Sequence, residues 1–338
     1  MEKKRDTRRK PIDRRKATGR KIKKAAAPQR ARQEAPPGET AILSARLMTE
    51  QINRALSRAI GQQQFESIDD LNAFLARFTD RPMEEILAEL PDGGPGEKAQ
   101  ELAYQAMEEP DSDRAFELAR QALAIDPDCL DAAMLVAANE AESLEELVQR
   151  IRAIIERAEG VMGEDYLNES RGHFWSIAET RPYMRALSFQ ADRLKDLAWI
   201  DEEIETYEKM LDLNPNDNQG VRDPLLGLYL ETGRLDDARR LLEFYADADS
   251  AVFLWGRVLE RFLSGDLKGA ATALRKAHHQ NRHVFDYMTG RKRPSRTEVE
   301  YYSPGQPSEA LVCLDVLITA WIAHREALAW LRAQDPKK

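Results

Sequence analysis

The chain has 338 residues, of which 42% are hydrophobic and 32% are charged, and its formal net charge is −9. Only two cysteines are present, too few for a disulfide framework or a thiolate metal site, so a reducing compartment is expected. No run approaches the ~18 consecutive apolar residues of a membrane span, and no apolar secretory signal is found near the first residues. This composition argues against a disulfide-stabilised secreted domain and against a helical membrane protein, and we expect a cytoplasmic location.

The first part of the chain is strongly basic. Residues 1–32 hold 15 Lys or Arg against three acidic residues, a net charge of +12, so the remaining 306 residues carry −21. Residues 1–39 have almost no apolar side chains and contain four prolines, which predicts a disordered tail. Such an arm can contact RNA, the ribosome, DNA or an anionic membrane with salt-sensitive affinity, or it can serve only to solubilise the chain. The residues predicted to contact a polyanion are Lys3, Lys4, Arg5, Arg8, Arg9, Lys10, Arg14, Arg15 and Lys16.

Residues 40–90 predict a helical amino-terminal extension. Between Ala41 and Ile60, apolar residues recur mostly at intervals of three to five, as on one face of a helix. Two shorter helices follow, and the second has Pro82 in its first turn, where proline is well tolerated. The Pro- and Gly-rich stretch at 91–96 is the clearest linker in the chain and marks a boundary.

Residues 97–333 predict an array of paired amphipathic helices. Asp111-Ser112-Asp113 marks a helix start, and Ser143 with Glu146 forms a capping box. Residues 164–181 are rich in aromatics and interrupt the regular alternation of helices and turns, which predicts an irregular insertion. No segment shows sustained period-two alternation, so very little β structure is expected.

The stretch from Asp201 to Tyr245 shows the repeating unit best. It predicts a helix capped by Asp201, a polar turn, a second helix that ends at Gly233, and a third helix. In the second helix of successive pairs, Glu203, Ala238 and Ala270 occupy equivalent places 35 and 32 residues apart. A period near 34 is typical of tetratricopeptide repeats (TPR), so the predicted fold is all-α: a right-handed TPR-like solenoid of about four to five helix pairs. A generic helical bundle is the alternative.

Three motifs, GHFWSIAETRPYMRA (172–186), LNPNDNQGVRDPLL (213–226) and EALAWLR (326–332), resemble a family of bacterial TPR proteins. That family is similar to the suppressor-of-tumorigenicity proteins of animals, and the likeness covers roughly residues 97–333. The resemblance implies a scaffold without established enzymatic activity. The animal relatives carry membrane segments that this sequence does not show, so roles tied to those segments do not transfer.

Two polar turns, ETRPYMR (179–185) and NPNDNQGVR (214–222), hold the main candidate binding residues. Their arginines can hold an acidic peptide or a carboxylate through bidentate hydrogen bonds. The alternative is that Asn and Asp only build the turn between repeats, while the arginines pair with the acidic body. If the first helix of each pair lines the concave face, its register adds further residues. The predicted partner-binding set is Arg181, Arg185, Asp192, Lys195, Asn218, Arg222 and Trp255.

No combination of residues predicts a reaction, a metal site or a cofactor. His279 and His283 can share a helix face, but no partner stands at metal-ligand spacing, and a solvated helix end explains them better. The acidic pairs fall in the first turns of helices, where a negative charge interacts favourably with the positive end of the helix dipole. We therefore expect a non-enzymatic scaffold that binds a peptide or protein partner. The alternative is a ribosome- or nucleic-acid-associated factor that uses the basic tail.

Overall fold

A computed structural model describes residues 37–91, 93–294 and 301–334. Within these ranges the chain forms helices, turns and loops but no β-strand, so the all-α prediction is confirmed. The predicted disordered tail, with its basic residues from Lys3 to Lys16, lies outside the described ranges except for residues 37–39. No helix in the described ranges is both long enough and apolar enough to cross a membrane.

Seventeen α-helices are found in the described residues. Helices α1 to α6 are Pro37–Gly61, Ile68–Ala76, Met83–Glu89, Pro95–Glu108, Ser112–Ile125 and Leu130–Glu140. Helices α7 to α12 are Leu144–Met162, Glu164–Glu169, Arg181–Leu197, Ile200–Leu213, Arg222–Thr232 and Leu235–Phe244. Helices α13 to α17 are Ala251–Leu263, Leu267–Gln280, Arg282–Met288, Pro307–Ala323 and Arg325–Ala333. A short 3-10 turn, Ala178–Thr180, precedes α9.

Side-chain caps set several of the helix ends. The Asp111 carboxylate accepts a hydrogen bond from the N–H of Arg114 at 2.9 Å, and the Ser143 hydroxyl accepts one from the N–H of Glu146 at 3.0 Å. Each bond satisfies an N–H that has no partner within its own helix. Gly233 ends α11 with φ 76°, a left-handed conformation that favours glycine.

The start of α10 differs from the prediction. Asp201 is not its cap, because α10 begins at Ile200 and Asp201 lies within its first turn. Ala198 ends α9 in the left-handed conformation, and the N–H of Glu203 already bonds the carbonyl of Trp199 at 3.0 Å. The connection between the two helices is only two residues long, which leaves no position for a polar cap at Asp201.

Two other boundaries shift, and the predicted insertion is partly helical. Helix α1 begins at Pro37, inside the predicted tail, and α4 begins at Pro95, inside the predicted linker. Proline fits the first turn of a helix, where its missing N–H would have no partner. The predicted insertion at 164–181 contains the short helix α8 and the 3-10 turn.

The buried apolar residues form three clusters. The largest spans α6 to α17 and includes Trp255 and Trp321, which have no exposed surface. A second cluster joins α1, α2 and α3 around Phe74 and Phe78. The third, between α4, α5 and the start of α6, consists mostly of alanines, whose small side chains let helices approach closely. The amino-terminal extension therefore has an apolar core of its own.

Contacts between helices follow the order of the chain from α4 onward, and α7 contacts both α8 and α9. In addition, α4 contacts α6, α6 contacts α9, and α11 contacts α13. Contacts between elements that are distant in sequence include those of α16 with α11 and α13, of α17 with α13, and of α1 with α4 and the 3-10 turn before α9. The position of α1 brings it to the predicted binding residues at the start of α9.

Candidate functional site

The candidate site is a cluster of charged and polar side chains around Arg185 of α9. The Arg185 guanidinium bonds the Glu50 carboxylate of α1 at 2.8 and 2.9 Å, and the Asp131 carboxylate of α6 at 2.6 and 3.0 Å. The Tyr104 hydroxyl donates to Glu50 at 2.8 Å, and the Gln100 amide donates to Asp131 at 2.7 Å. One cation thus holds two carboxylates, and α4 supplies a neutral donor to each.

This cluster is shielded from water. The side chains of Asp131 and Glu50 are 3% and 6% exposed, and that of Arg185 is 23% exposed. Burial alone would lower the pKa of Arg185, but the carboxylates of Asp131 and Glu50 outweigh it and raise that pKa above its usual range. Burial and the neighbouring Glu50 raise the pKa of the Tyr104 hydroxyl. Arg185 therefore stays charged, and Tyr104 stays a hydrogen-bond donor, at neutral pH.

A second group of ion pairs lies one turn further along α1. Arg54 donates to the Glu97 carboxylate of α4 at 2.7 and 3.1 Å, and Arg58 approaches the same carboxylate at 2.8 Å. Burial would raise the pKa of Glu97, but the two arginines outweigh it and lower that pKa. Glu50, Arg54 and Arg58 recur every four residues, so they form one stripe of α1 directed at the array.

Arg181 lies at the edge of the Arg185 cluster. Its Nη1 atom is 3.9 Å from the Glu50 carboxylate, and its Nε atom donates to the carbonyl of Trp175 at 3.0 Å. Its guanidinium lies 5.5 Å from the centre of the Trp175 ring. The first turns of α9 therefore direct two arginines of the predicted set, Arg181 and Arg185, at a carboxylate of the chain itself.

The two long sequence motifs, 172–186 and 213–226, contact each other. The N–H of Phe174 donates to the carbonyl of Leu213 at 3.2 Å, and the Gln219 amide donates to the carbonyl of Met184 at 3.1 Å. Phe174 is fully buried and packs on Tyr183, with ring centres 5.8 Å apart. These contacts hold the start of α9, and with it Arg185, against the turn between α10 and α11.

The turn at 214–222 is closed by its own side chains. Asp217, with φ 51°, accepts hydrogen bonds from the N–H groups of Val221 at 2.7 Å and Arg222 at 3.1 Å. The Arg222 guanidinium lies 3.5 Å from the same carboxylate and 4.9 Å from the centre of the Tyr245 ring. Asn218 is exposed. Asp217 and Arg222 thus build the turn, while Asn218 presents its side chain to solvent.

The remaining residues of the predicted set lie apart from the cluster. Trp255 has no exposed surface and packs on Phe285, with ring centres 6.4 Å apart, because α15 and α16 cover this face of α13. It is a core residue and not part of an accessible groove. Asp192 and Lys195 are exposed on the later turns of α9.

The histidine pair is not arranged as a ligand set. His279 belongs to α14 and His283 to α15, so the two do not share one helix face. In the described ranges, no three His, Cys, Asp or Glu side chains lie close enough to hold a metal ion.

Sequence reasoning missed the partners of Arg185. Glu50 and Asp131 are 135 and 54 residues away from it along the chain. A usable signal was present for Asp131, which stands among the apolar residues that begin the helix LDAAMLVAANE, whereas Glu50 is one of several charged residues in α1. A charged side chain on a buried face requires a partner.

No protein-family model matches the sequence, and a search of curated proteins also finds no match.

Proposed function

We propose that the chain is a cytoplasmic, non-enzymatic protein-interaction scaffold that binds a peptide or protein partner on the concave face of a right-handed TPR-like solenoid over residues 97–333. The observation that carries this proposal is the bidentate pair between Glu50 and Arg185. The array holds a helix from a distant part of its own chain through a carboxylate. A surface that holds one amphipathic helix in this way has the chemistry to hold another.

The order of helix contacts supports the solenoid. In such arrays each repeat contacts its neighbours in the chain, as do α4 with α6 and α11 with α13. Ala238 and Ala270, which occupy the small-residue position of the repeat, have no exposed surface, and Glu203 at the equivalent position is 3% exposed. The cytoplasmic part of the proposal is supported by Cys129 and Cys313, which are both free.

Crosslinking in cells that express the chain tests the scaffold. A photo-crosslinking amino acid at exposed Asp192 on α9, near the candidate site, is expected to capture a defined protein partner identified by mass spectrometry. The same group at exposed Glu156 on α7 is the matched control. If Asp192 captures no protein above both the Glu156 control and the level without irradiation, the scaffold function is rejected.

The charge asymmetry favours a second candidate function, a ribosome- or nucleic-acid-associated factor. The +12 charge of residues 1–32 would neutralise several phosphates, so affinity should fall steeply with salt. The chain is expected to co-sediment strongly with ribosomes at low salt and weakly at moderate salt. Deletion of residues 1–36 is expected to abolish this co-sedimentation. Sedimentation that is unchanged by this deletion would reject the role of the tail.

A further inference from the structure

We propose that the surface of α4 and α9 covered by α1 is the binding site of a partner helix that carries an acidic residue in the place of Glu50, and that α1 is displaced when this helix binds. The inference rests on the proposed scaffold function and specifies the chemistry of its partner. Three features of α1 carry it: a separate apolar core, an ionic contact with the array, and an incompletely packed seam.

The apolar face of α1 belongs to a core that is separate from that of the array. Ile52, Ala55 and Ala59 pack with Phe74 of α2 and with Phe78 of the turn that follows α2. The cluster that spans α6 to α17 does not include these residues. Helices α1 to α3 can therefore leave the array without opening its main core.

The opposite face of α1 contacts the array largely through charges. Glu50 and Arg54 are both buried at this contact, and each has a bidentate partner, Arg185 and Glu97. A carboxylate from another helix can take the place of Glu50 at Arg185 with the same hydrogen bonds. When another helix replaces α1, the number of ion pairs at this contact therefore stays about the same. Loss of α1 without replacement instead leaves the charges of the array without their partners.

The seam between α1 and α4 is incompletely packed. A crevice of about 240 Å³ lies along it, and its wall on α4 is mostly polar. It is lined on α1 by Ser44, Leu47, Met48 and Gln51, and on α4 by Glu101, Tyr104, Gln105 and Glu108. The crevice is partly open to solvent, so longer side chains can enter it without displacing packed atoms. Helix α1 covers the Arg185 cluster but does not fill the surface beside it, so a helix with larger side chains would make more contact.

The register of α1 defines the helix that fits. Ser44 and Leu47, which border the crevice, precede Glu50 by six and three residues and lie on the same side of the helix. Arg54 follows Glu50 by four residues and meets Glu97. The expected partner segment is an amphipathic helix with larger, partly aliphatic side chains six and three positions before an acidic residue, and a basic residue four positions after it.

Tethering decides how strongly α1 competes. Helix α1 is connected to α4 through α2, α3 and a short linker, so its effective concentration at the site is high, on the order of millimolar for short connections. A free helix binds only the fraction of molecules from which α1 has moved away. A substitution that weakens α1 should therefore strengthen the binding of a free helix, which a purely structural role of α1 does not predict.

The test uses the full-length chain and a fluorescein-labelled synthetic peptide of residues 41–61 that carries Ser44→Leu. In the chain, Glu50→Gln and Arg54→Gln each remove an anchor of α1 but leave Arg185 and Glu97 in place. We expect each substitution to tighten peptide binding at least about tenfold relative to the wild-type chain, measured by fluorescence anisotropy. Two separate anchors keep the test valid if one variant fails to fold.

Matched controls isolate the carboxylate. Glu66→Gln removes the same charge from an exposed position shortly after α1, and this chain is expected to bind the peptide as the wild type does. A probe that also carries Glu50→Gln is expected to bind the Glu50→Gln chain at least about tenfold more weakly than the original probe does. The original probe is expected to lose affinity by a similar factor when Arg185→Gln is added to the Glu50→Gln chain. Equal affinities of the wild-type, Glu50→Gln and Arg54→Gln chains for the probe would overturn the proposal.

Hydrogen exchange distinguishes displacement from general unfolding. When the probe is added to the wild-type chain, the amides of residues 43–61 are expected to exchange faster, while those of α11 to α14 stay unchanged. Faster exchange throughout the chain would overturn the proposal. Dimer formation by the Glu50→Gln chain in the absence of the probe would also overturn it, because the surface would then bind a second copy of the chain. If crosslinks from Asp192 capture a partner but the probe fails, this inference falls and the scaffold function stands.

Discussion

Helices α1 and α16 both pack against elements that are distant from them in sequence, but the two contacts are built differently. Helix α16 places Cys313, Leu317 and Trp321 in the main apolar cluster, and all three have no exposed surface. Helix α1 instead directs Glu50 and Arg54 at α9 and α4, together with the buried Leu47, while Ile52, Ala55 and Ala59 pack into a separate cluster.

The polar anchors of the two helices differ in the same way. Glu309, in the first turn of α16, accepts hydrogen bonds from the N–H of Ala251 at 3.1 Å, the N–H of Gly305 at 2.7 Å and the side-chain amide of Asn281 at 2.9 Å. These donors are neutral, whereas Glu50 is held by the Arg185 cation. Opening the α16 contact would expose core side chains to water, but releasing α1 exchanges ion pairs for hydrated charges. The comparison indicates that α16 is a permanent part of the fold and α1 an exchangeable one.

The largest contrast is expected from two leucine truncations. Leu317→Ala removes a fully buried side chain from α16 and is expected to lower the free energy of unfolding by about 4 kcal/mol, as in other well-packed cores. Leu47→Ala on α1 is expected to lower it by only about 2 kcal/mol, because this side chain, although buried, borders a crevice that is open to solvent. Urea unfolding followed by circular dichroism measures both, and equal losses would contradict the comparison.

Removal of the shared cation should have the next largest effect. Arg185→Gln leaves Asp131 buried without a cation and Glu50 with only Arg181 at 3.9 Å, so we expect a loss of about 3 kcal/mol in the free energy of unfolding. The matched control, Arg157→Gln, breaks an exposed pair with Asp128 and is expected to cost less than about 1 kcal/mol. A control variant as unstable as Arg185→Gln would show that burial of the cluster does not matter.

A glycine in α11 tests how closely α16 approaches. A Cβ atom at Gly227 would lie 2.6 Å from the carbonyl oxygen of Val316 in α16, so Gly227→Ala forces the helices apart and is expected to destabilise the fold by about 2 kcal/mol. Gly160, in α7, has nothing within 4 Å of that position, and Gly160→Ala is expected to stabilise the fold by about 0.5–1 kcal/mol through helix propensity. Thermal unfolding should therefore shift in opposite directions for the two variants.

The smallest effect concerns pH and a residue away from both contacts. Burial raises the pKa of Glu203 to about 7, although Lys195 and a hydrogen bond with Tyr207 oppose the shift. Because this pKa lies above the 4.5 of an unperturbed glutamate, the stability that the neutral carboxyl provides is complete below about pH 4.5 and is lost as the pH rises through 7. Glu203→Gln is expected to stabilise the fold by about 1 kcal/mol at pH 8 and to change little at pH 5. Urea midpoints at both pH values measure this, and a pH-independent difference would contradict it.

Helix ends were predictable where their causes are local. Asp111 and Ser143 cap helices because their side chains reach an N–H three residues later, and Gly233 ends a helix because it tolerates positive φ. The cap expected at Asp201 failed for a reason that the local pattern does not contain: the left-handed turn at Ala198 starts α10 earlier.

The arginines of the candidate site were predictable from the sequence, but their partners were not. Arg181 and Arg185 stand out in their motif, but the chain holds 59 acidic residues, and no local pattern singles out Glu50 as their partner. The expectation for Trp255 shows the same limit. Its register on the first helix of a pair predicted a groove, but register cannot reveal that α16, more than 50 residues later, covers that face. Contacts between distant elements depend on the packing of the whole chain.

The two cysteines give the protein an internal reporter for two of its apolar clusters, that of α4 to α6 and that of α6 to α17. Cys129 lies beside the Arg185 cluster, with its Sγ atom 4.0 Å from the side-chain oxygen of Gln100, and Cys313 lies on α16. Burial raises the pKa of the Cys129 thiol to about 11 and that of Cys313 well above its usual value. A thiol reagent can therefore modify either one only while its surroundings are transiently open. The relative labelling rates of the two sites, in the unaltered chain, measure how often each end of the molecule opens.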